Sequence, residues 1–151
     1  MSSAVIEDGL LCTITEKSWR LSADSPEAMG GDNMAPSPSV LFRASVSSCV
    51  AMGVKMWAAR LETLIERVEA RFETDVDARG QFGVCDETRA GFEGACLEIH
   101  IVSNAPAEAV RKVVRTSLRY SAVLDALSSD IPIRTEVFIT PSVHVMKRAL
   151  P

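Results

Sequence analysis

The stretch from residue 40 to residue 61 constrains this chain more than any other. It reads as one helix, roughly 30 Å long at 1.5 Å per residue. Its apolar and small residues occur all round rather than on one stripe, so such a helix must be buried on nearly every side. A chain of 151 residues with limited strand content struggles to wrap it alone. A second copy of the chain is therefore expected to help cover it, giving a homodimer with an extensive interface. The small residues Ser45, Ser48, Ala51 and Gly53 would let another backbone approach closely.

The remaining elements are shorter. Residues 10 to 22 read as two short strands around a turn near Glu16-Lys17, and residues 23 to 39, rich in Ser, Pro, Gly, Asp and Asn, as a loop. The Gly30-Gly31 pair in that loop allows backbone angles that other residues avoid. From 67 to 77 the chain alternates strictly: Val68, Ala70, Phe72, Thr74 and Val76 on one face, charged residues on the other. That is a half-buried strand of an antiparallel sheet, with a solvated charged face. A second strand covers 95 to 102, with Leu97, Ile99 and Ile101 facing in. Ser103-Asn104-Ala105-Pro106 predicts a helix start, with Pro in the first turn and Glu108 near the positive end. The apolar stripe of this helix is Val110, Val113, Val114, Leu118 and Leu124, interrupted by Ser117 and Ser121, and Ser128-Ser129-Asp130 closes it. A last strand is expected over 131 to 140, then a loosely held tail over 141 to 151. With no internal repeat and no linker, the expectation is a single domain over 1 to 151, of α+β class.

Composition removes several function classes. Hydrophobic residues make up 47% and charged residues 24%, which is a globular mixture and argues against disorder. The net charge is −4 with both signs interleaved, so no basic face is expected for nucleic acid or an anionic membrane. The longest uncharged run of the helix, 44 to 54, is far short of the about 20 residues that span a bilayer. The first ten residues carry Glu7 and Asp8 and do not read as a signal peptide. The expected compartment is therefore the cytoplasm, where the four cysteines would stay reduced. No CxxC pair occurs, and His100 and His144 do not make a zinc site, so neither a metal nor another cofactor is expected.

Among the cysteines, Cys49 lies inside the long helix, in Ser45-Val46-Ser47-Ser48-Cys49-Val50-Ala51-Met52-Gly53-Val54. A thiol there is either an inert small hydrophobe or a protected nucleophile. Cys12 would pack in the first strand. Cys85 lies in an irregular segment. Cys96 and His100 are four apart on one strand, about 13 Å, too far to share a metal, and read as outward-facing.

Four segments, in order, resemble the OsmC/Ohr family of organic hydroperoxide reductases and osmotically induced proteins. They are Gly30-Gly31 with Pro36-Ser37-Pro38; the Cys49 helix ending in Met56-Trp57-Ala58; Arg79-Gly80-Gln81-Phe82-Gly83 leading to Gly91-Phe92; and Arg119-Tyr120-Ser121-Ala122-Val123-Leu124-Asp125-Ala126-Leu127. Together they cover about residues 10 to 140. The resemblance implies an intertwined α+β homodimer, antiparallel sheets wrapped around buried central helices, and an active site at the dimer interface. There a peroxidatic cysteine, a resolving cysteine and an Arg-Glu pair carry the chemistry.

Cys49 matches the peroxidatic position. The resolving position, normally in a Tyr-Cys-Pro-Val-like run, is Ser121 in Tyr120-Ser121-Ala122-Val123. The family's glutamate follows the proline eleven residues before the reactive cysteine; here that proline is Pro38, and Ser39 and Val40 follow it. Arg20 is the candidate for the activating arginine, with Arg43 and Arg79 as alternatives. A hydroxyl forms no disulfide, so Ser121 cannot trap a sulfenic acid on Cys49. The expectation is a one-cysteine cycle on organic hydroperoxides or related small molecules, closed by an external thiol, with Cys85 as a possible substitute resolver. The alternative is a non-enzymatic dimer that binds a small apolar or thiol ligand in the same pocket.

Overall fold

The computed structural model describes residues 1–127 and 133–142. The chain divides into two compact units, Met1–Ser45 and Val46–Pro151. In the first, strands β1 (Ser2–Ile6), β2 (Cys12–Glu16) and β3 (Trp19–Ala23) form an antiparallel sheet in the order β1-β2-β3. The β2–β3 turn falls where the sequence places it, with Lys17 at φ 53°. β1 was not expected: its side chains are exposed throughout, so no burial alternation marks it as a strand.

The loop after β3 is organised by one carboxylate. Asp24 accepts the amides of Ser25 at 2.8 Å, Met34 at 2.9 Å and Asp32 at 3.2 Å. The Met34 amide leads in holding its carboxyl below the ordinary 3.8, with help from Ser25 and Asp32 and against the opposing pull of desolvation. The two glycines of this loop serve different needs. Gly30 takes φ 85°, whereas Gly31 must lack a side chain because a β-carbon would strike the Ser25 carbonyl.

Helix α1 runs over Pro38–Arg60 and passes from the first unit into the second. Within this chain it is fully buried only along Val46, Val50, Val54 and Ala58, while Met52 and Met56 are 60% and 72% exposed. The expected all-round burial is thus not reached inside one chain.

The second unit carries the sheet β4-β5-β6, with β4 over Arg67–Asp75, β5 over Gly94–Val102 and β6 over Ile133–Thr140. Strand β5 is central, and its alternation is complete: Ala95, Leu97, Ile99 and Ile101 are buried, with Cys96, Glu98 and His100 between them. β4 pairs with it antiparallel, Phe72 opposite Leu97. β6 pairs with it parallel, Ile99 opposite Val137, which corrects the expectation of purely antiparallel sheets. The physical reason is the helical crossover between β5 and β6, which a parallel neighbour requires.

The expected single crossover helix is two. Helix α3 (Ala107–Arg119) ends at Tyr120, and helix α4 (Ala122–Leu127) begins after Ser121, whose Oγ accepts the Leu124 amide at 3.4 Å. That is N-cap geometry, and it converts a stripe interruption into a helix boundary. Pro106 sits at the α3 N-cap rather than inside the first turn. Ser103 donates to the Leu64 carbonyl at 2.6 Å and accepts the Ala105 amide at 3.0 Å. A short helix α2 (Ala78–Gln81), also unexpected, is capped by Asp77. The expected helix stop at Ser128-Ser129-Asp130, the start of the last strand at Ile131, His144 and the tail beyond Ser142 lie outside the described residues.

Candidate functional site

α1 presents Cys49 and Gly53 one turn apart, while Ser117 lies in the last turns of α3 and Ser121 follows at the junction with α4. The two pairs meet in antiparallel sense. Cys49 Sγ lies 3.6 Å from Ser121 Oγ. A β-carbon built on Gly53 would lie 2.7 Å from Ser117 Oγ, so the missing side chain is what lets the two elements close here. Because Ser121 Oγ already accepts the Leu124 amide, its own hydrogen is available for the sulfur.

Around this contact is a cavity of about 210 Å³, lined by Cys49, Met52, Gly53, Met56, Trp57, Ser117, Tyr120, Ser121 and Ala122. None of these side chains carries a charge. Trp57 and Tyr120 stack with ring centroids 5.3 Å apart. The Arg60 and Arg119 guanidinium groups lie over those two rings at 5.2 and 5.6 Å, a cation–π arrangement at the aromatic pair.

The structure thus brings Cys49 and Ser121 together. It treats the arginine candidates differently. Arg20 is exposed on β3, opposite Thr15. Arg43 is half-buried in the first turns of α1. Arg79 is committed to Asp77, with Nη2 at 2.6 Å from one carboxylate oxygen and Nε at 3.1 Å from both. That hydrogen bonding holds the Asp77 carboxyl below its usual range. Neither Arg79 nor Cys85 lines the Cys49 cavity. Cys85 has its thiol lowered chiefly by the Thr88 hydroxyl and then by the Glu87 amide.

The other thiols are elsewhere. Cys96 lies on the less buried face of β5, with Arg134 Nη2 at 3.7 Å. On the same face His100 bonds Glu98 at 3.1 Å and stacks on Phe138 at 4.6 Å. Cys12 is half-buried at the start of β2. Among the described residues no group of His, Cys, Asp and Glu is placed to hold a metal ion. Nor is any helix there long and apolar enough to cross a membrane.

Sequence reasoning missed the Gly53–Ser117 contact and the Trp57–Tyr120 stack. The available signal was the pairing of two i, i+4 sets, Cys49/Gly53 and Ser117/Ser121, in which one close contact predicts the other.

The OsmC-like protein family model matches residues 30–136, a span that holds α1, the crossover helices and both halves of the Cys49–Ser121 contact. The chain belongs to this family. No curated protein matches it in sequence. Solved structures match its fold at low identity. An OsmC-like protein from Mycoplasma pneumoniae superposes with a TM-score of 0.78 at 11% identity, covering 95% of this chain and 96% of that one. An organic hydroperoxide resistance protein OsmC from Legionella pneumophila gives 0.69 at 19% identity, covering 91% and 95%. A putative organic hydroperoxide resistance protein from Vibrio cholerae, with captopril bound in one of its active sites, gives 0.65 at 16%, covering 91% and 90%. This family member therefore keeps the fold while carrying a hydroxyl beside its helix cysteine.

Proposed function

We propose that this protein is a one-cysteine thiol redox protein acting on organic hydroperoxides or related small molecules, with Cys49 as the reacting group. The observation that carries the reading is the Cys49 Sγ–Ser121 Oγ contact at 3.6 Å on the wall of an uncharged cavity. Family membership and hydroperoxide-resistance relatives of the same fold support it.

The cycle closes without a second protein thiol. The Cys49 thiolate attacks the outer oxygen of a hydroperoxide; the O–O bond breaks, an alcohol leaves with a proton, and the sulfur becomes a sulfenic acid. A small external thiol condenses with it, releasing water and leaving a mixed disulfide. A second external thiolate attacks that disulfide and frees Cys49 as its thiolate, giving an external disulfide. Ser121 donates its hydrogen to the sulfur or to the sulfenic oxygen, and as a hydroxyl it forms no disulfide with Cys49. Arg20 stays the candidate for the cation that aids the first step.

A homodimer in the cytoplasm belongs to the same proposal. The exposed Met52 and Met56 on α1 are the surface a second copy would cover. All four thiols are unpaired, as suits a reducing compartment.

A second reading is favoured by one observation: every described residue lining the cavity is uncharged. That suits a non-enzymatic protein holding a small apolar or thiol ligand. Consumption of an organic hydroperoxide with dithiothreitol separates the two. Wild type is expected to turn over and Cys49→Ser to stop; equal rates would discard the redox reading. Ser121→Cys tests the geometry independently, because Cys49 Sγ and Ser121 Oγ are 3.6 Å apart and a disulfide would close that to roughly 2.05 Å.

A further inference from the structure

The Cys49 cavity contains a second hydroxyl for which no partner is found among the described residues. Ser117 is only 3% exposed and lines the cavity. No hydrogen-bond partner for its side chain is found among the described residues. Its neighbour Thr116 shows the usual behaviour of a helical hydroxyl, donating to the Lys112 carbonyl four residues back at 2.8 Å. Nor is Ser117 Oγ a sealed orphan. Among the described residues no fully buried side-chain oxygen lacks a partner, so this atom opens onto the cavity. Gly53 faces it, and a β-carbon there would crowd the hydroxyl at 2.7 Å. A ligand oxygen entering the cavity can take up this hydroxyl's hydrogen bond, and a ligand without one leaves it unpaired.

We propose that Ser117 is a specificity-determining residue of this cavity. Its hydroxyl hydrogen-bonds a neutral oxygen of a small ligand whose hydrocarbon part lies against Met52, Met56 and Trp57. The ligand is small because about 210 Å³ is below the roughly 300–1,000 Å³ of drug-sized sites. It is neutral because none of the described lining side chains carries a charge to pair one. The spacing sets its shape. Ser121 lies beside the Cys49 sulfur and Ser117 beside Gly53, and Cys49 and Gly53 are one turn apart on α1, about 6 Å. In the redox reading on which this rests, the favoured substrate is an alkyl hydroperoxide with a second neutral oxygen, hydroxyl or carbonyl, about 6 Å from the reacting one.

Binding tests this apart from turnover. Propyl hydroperoxide and 3-hydroxypropyl hydroperoxide are titrated calorimetrically into Cys49→Ser and into Cys49→Ser/Ser117→Ala. Loss of the hydroxyl is expected to weaken the hydroxylated probe about three- to tenfold, one neutral hydrogen bond, and to leave the plain probe within about twofold. Gly53→Ala in the same background keeps the hydroxyl but displaces it, and should also weaken the hydroxylated probe more than the plain one. Equal weakening of both probes by Ser117→Ala would reveal a merely structural role and overturn the proposal. So would no weakening, or no binding of either probe. Turnover of the plain probe by wild type with dithiothreitol reports on the redox reading alone. Selective binding without turnover would sink that reading and leave Ser117 as a recognition residue.

Discussion

Replacing Gly53 by Ala sets two effects of known sign against each other. Gly53 lies inside α1, where Ala is more favourable than Gly by about 0.8–1.0 kcal/mol. The new β-carbon, however, would sit 2.7 Å from Ser117 Oγ. Overpacking costs about 1–3 kcal/mol where nothing yields. Here the obstacle is the end of a short side chain that can rotate, so the lower part of that range applies. The two terms nearly cancel, and Gly53→Ala alone should change stability by less than about 1 kcal/mol. Among the described residues, Ser117 Oγ is the sole atom beyond the helix's own backbone and chain neighbours within 4 Å of the built β-carbon. In a Ser117→Ala background the crowding is therefore gone and the propensity gain remains. There the same Gly53→Ala change should stabilise by about 1 kcal/mol. Urea unfolding of the four proteins at one fixed concentration measures the cycle, with a coupling of about 1 kcal/mol as the expected result. A Gly53→Ala effect of equal size in both backgrounds would refute the contact between the two elements, and with it the geometry assigned to the cavity.

Ser121→Ala removes the α4 N-cap and should cost about 0.5–2 kcal/mol in urea unfolding; an unchanged midpoint would mean that α4 does not depend on that hydroxyl. Asp24 predicts an acid-sensitive loop. Its folded-state carboxyl is held below the ordinary 3.8 by backbone amides, so its contribution to stability is full above that value and is lost as pH falls through the lower folded value. Asp24→Asn should be less stable than wild type at neutral pH, with the gap closing in acid; a pH-independent gap would contradict this assignment.

The parts legible in the sequence are those where a period survives folding. β5 alternates in the sequence as it does in burial, and β4 nearly so. β1 was illegible because a strand exposed on both faces has no alternation to read. The direction of β6 was illegible because a parallel pair is fixed by the crossover, not by the strand's own residues. Ser121 was read as a gap in an apolar stripe, when a serine followed by a short apolar run is equally a helix start. For the candidate site, motif order pointed to Cys49 and Ser121, which lie 3.6 Å apart. Motif order could not find Ser117 or Gly53, whose meaning appears only when two distant helices are paired.

The apolar residues of α1 occur all round because its faces meet different surroundings. Four residues apart along the helix, Val46, Val50, Val54 and Ala58 form the fully buried stripe. One position earlier, Cys49, Gly53 and Trp57 form a half-buried stripe lining the cavity. One earlier again, Ala44, Ser48, Met52 and Met56 are exposed in the single chain. A thiol's chemistry therefore depends on its stripe more than on its helix. Shifting it by one residue makes the test. Val50 is 1% exposed, so a thiol in Cys49→Ala/Val50→Cys can meet a reagent only when the core opens. Cys49, already on the cavity wall, needs no such opening. Iodoacetamide labelling, followed on the α1 peptide by mass spectrometry, should be at least tenfold slower at the shifted thiol, the factor for an opening that costs about 1.4 kcal/mol or more. Equal rates would mean that Cys49 is as sealed as the core beside it, and the inert-thiol reading of the sequence would then hold.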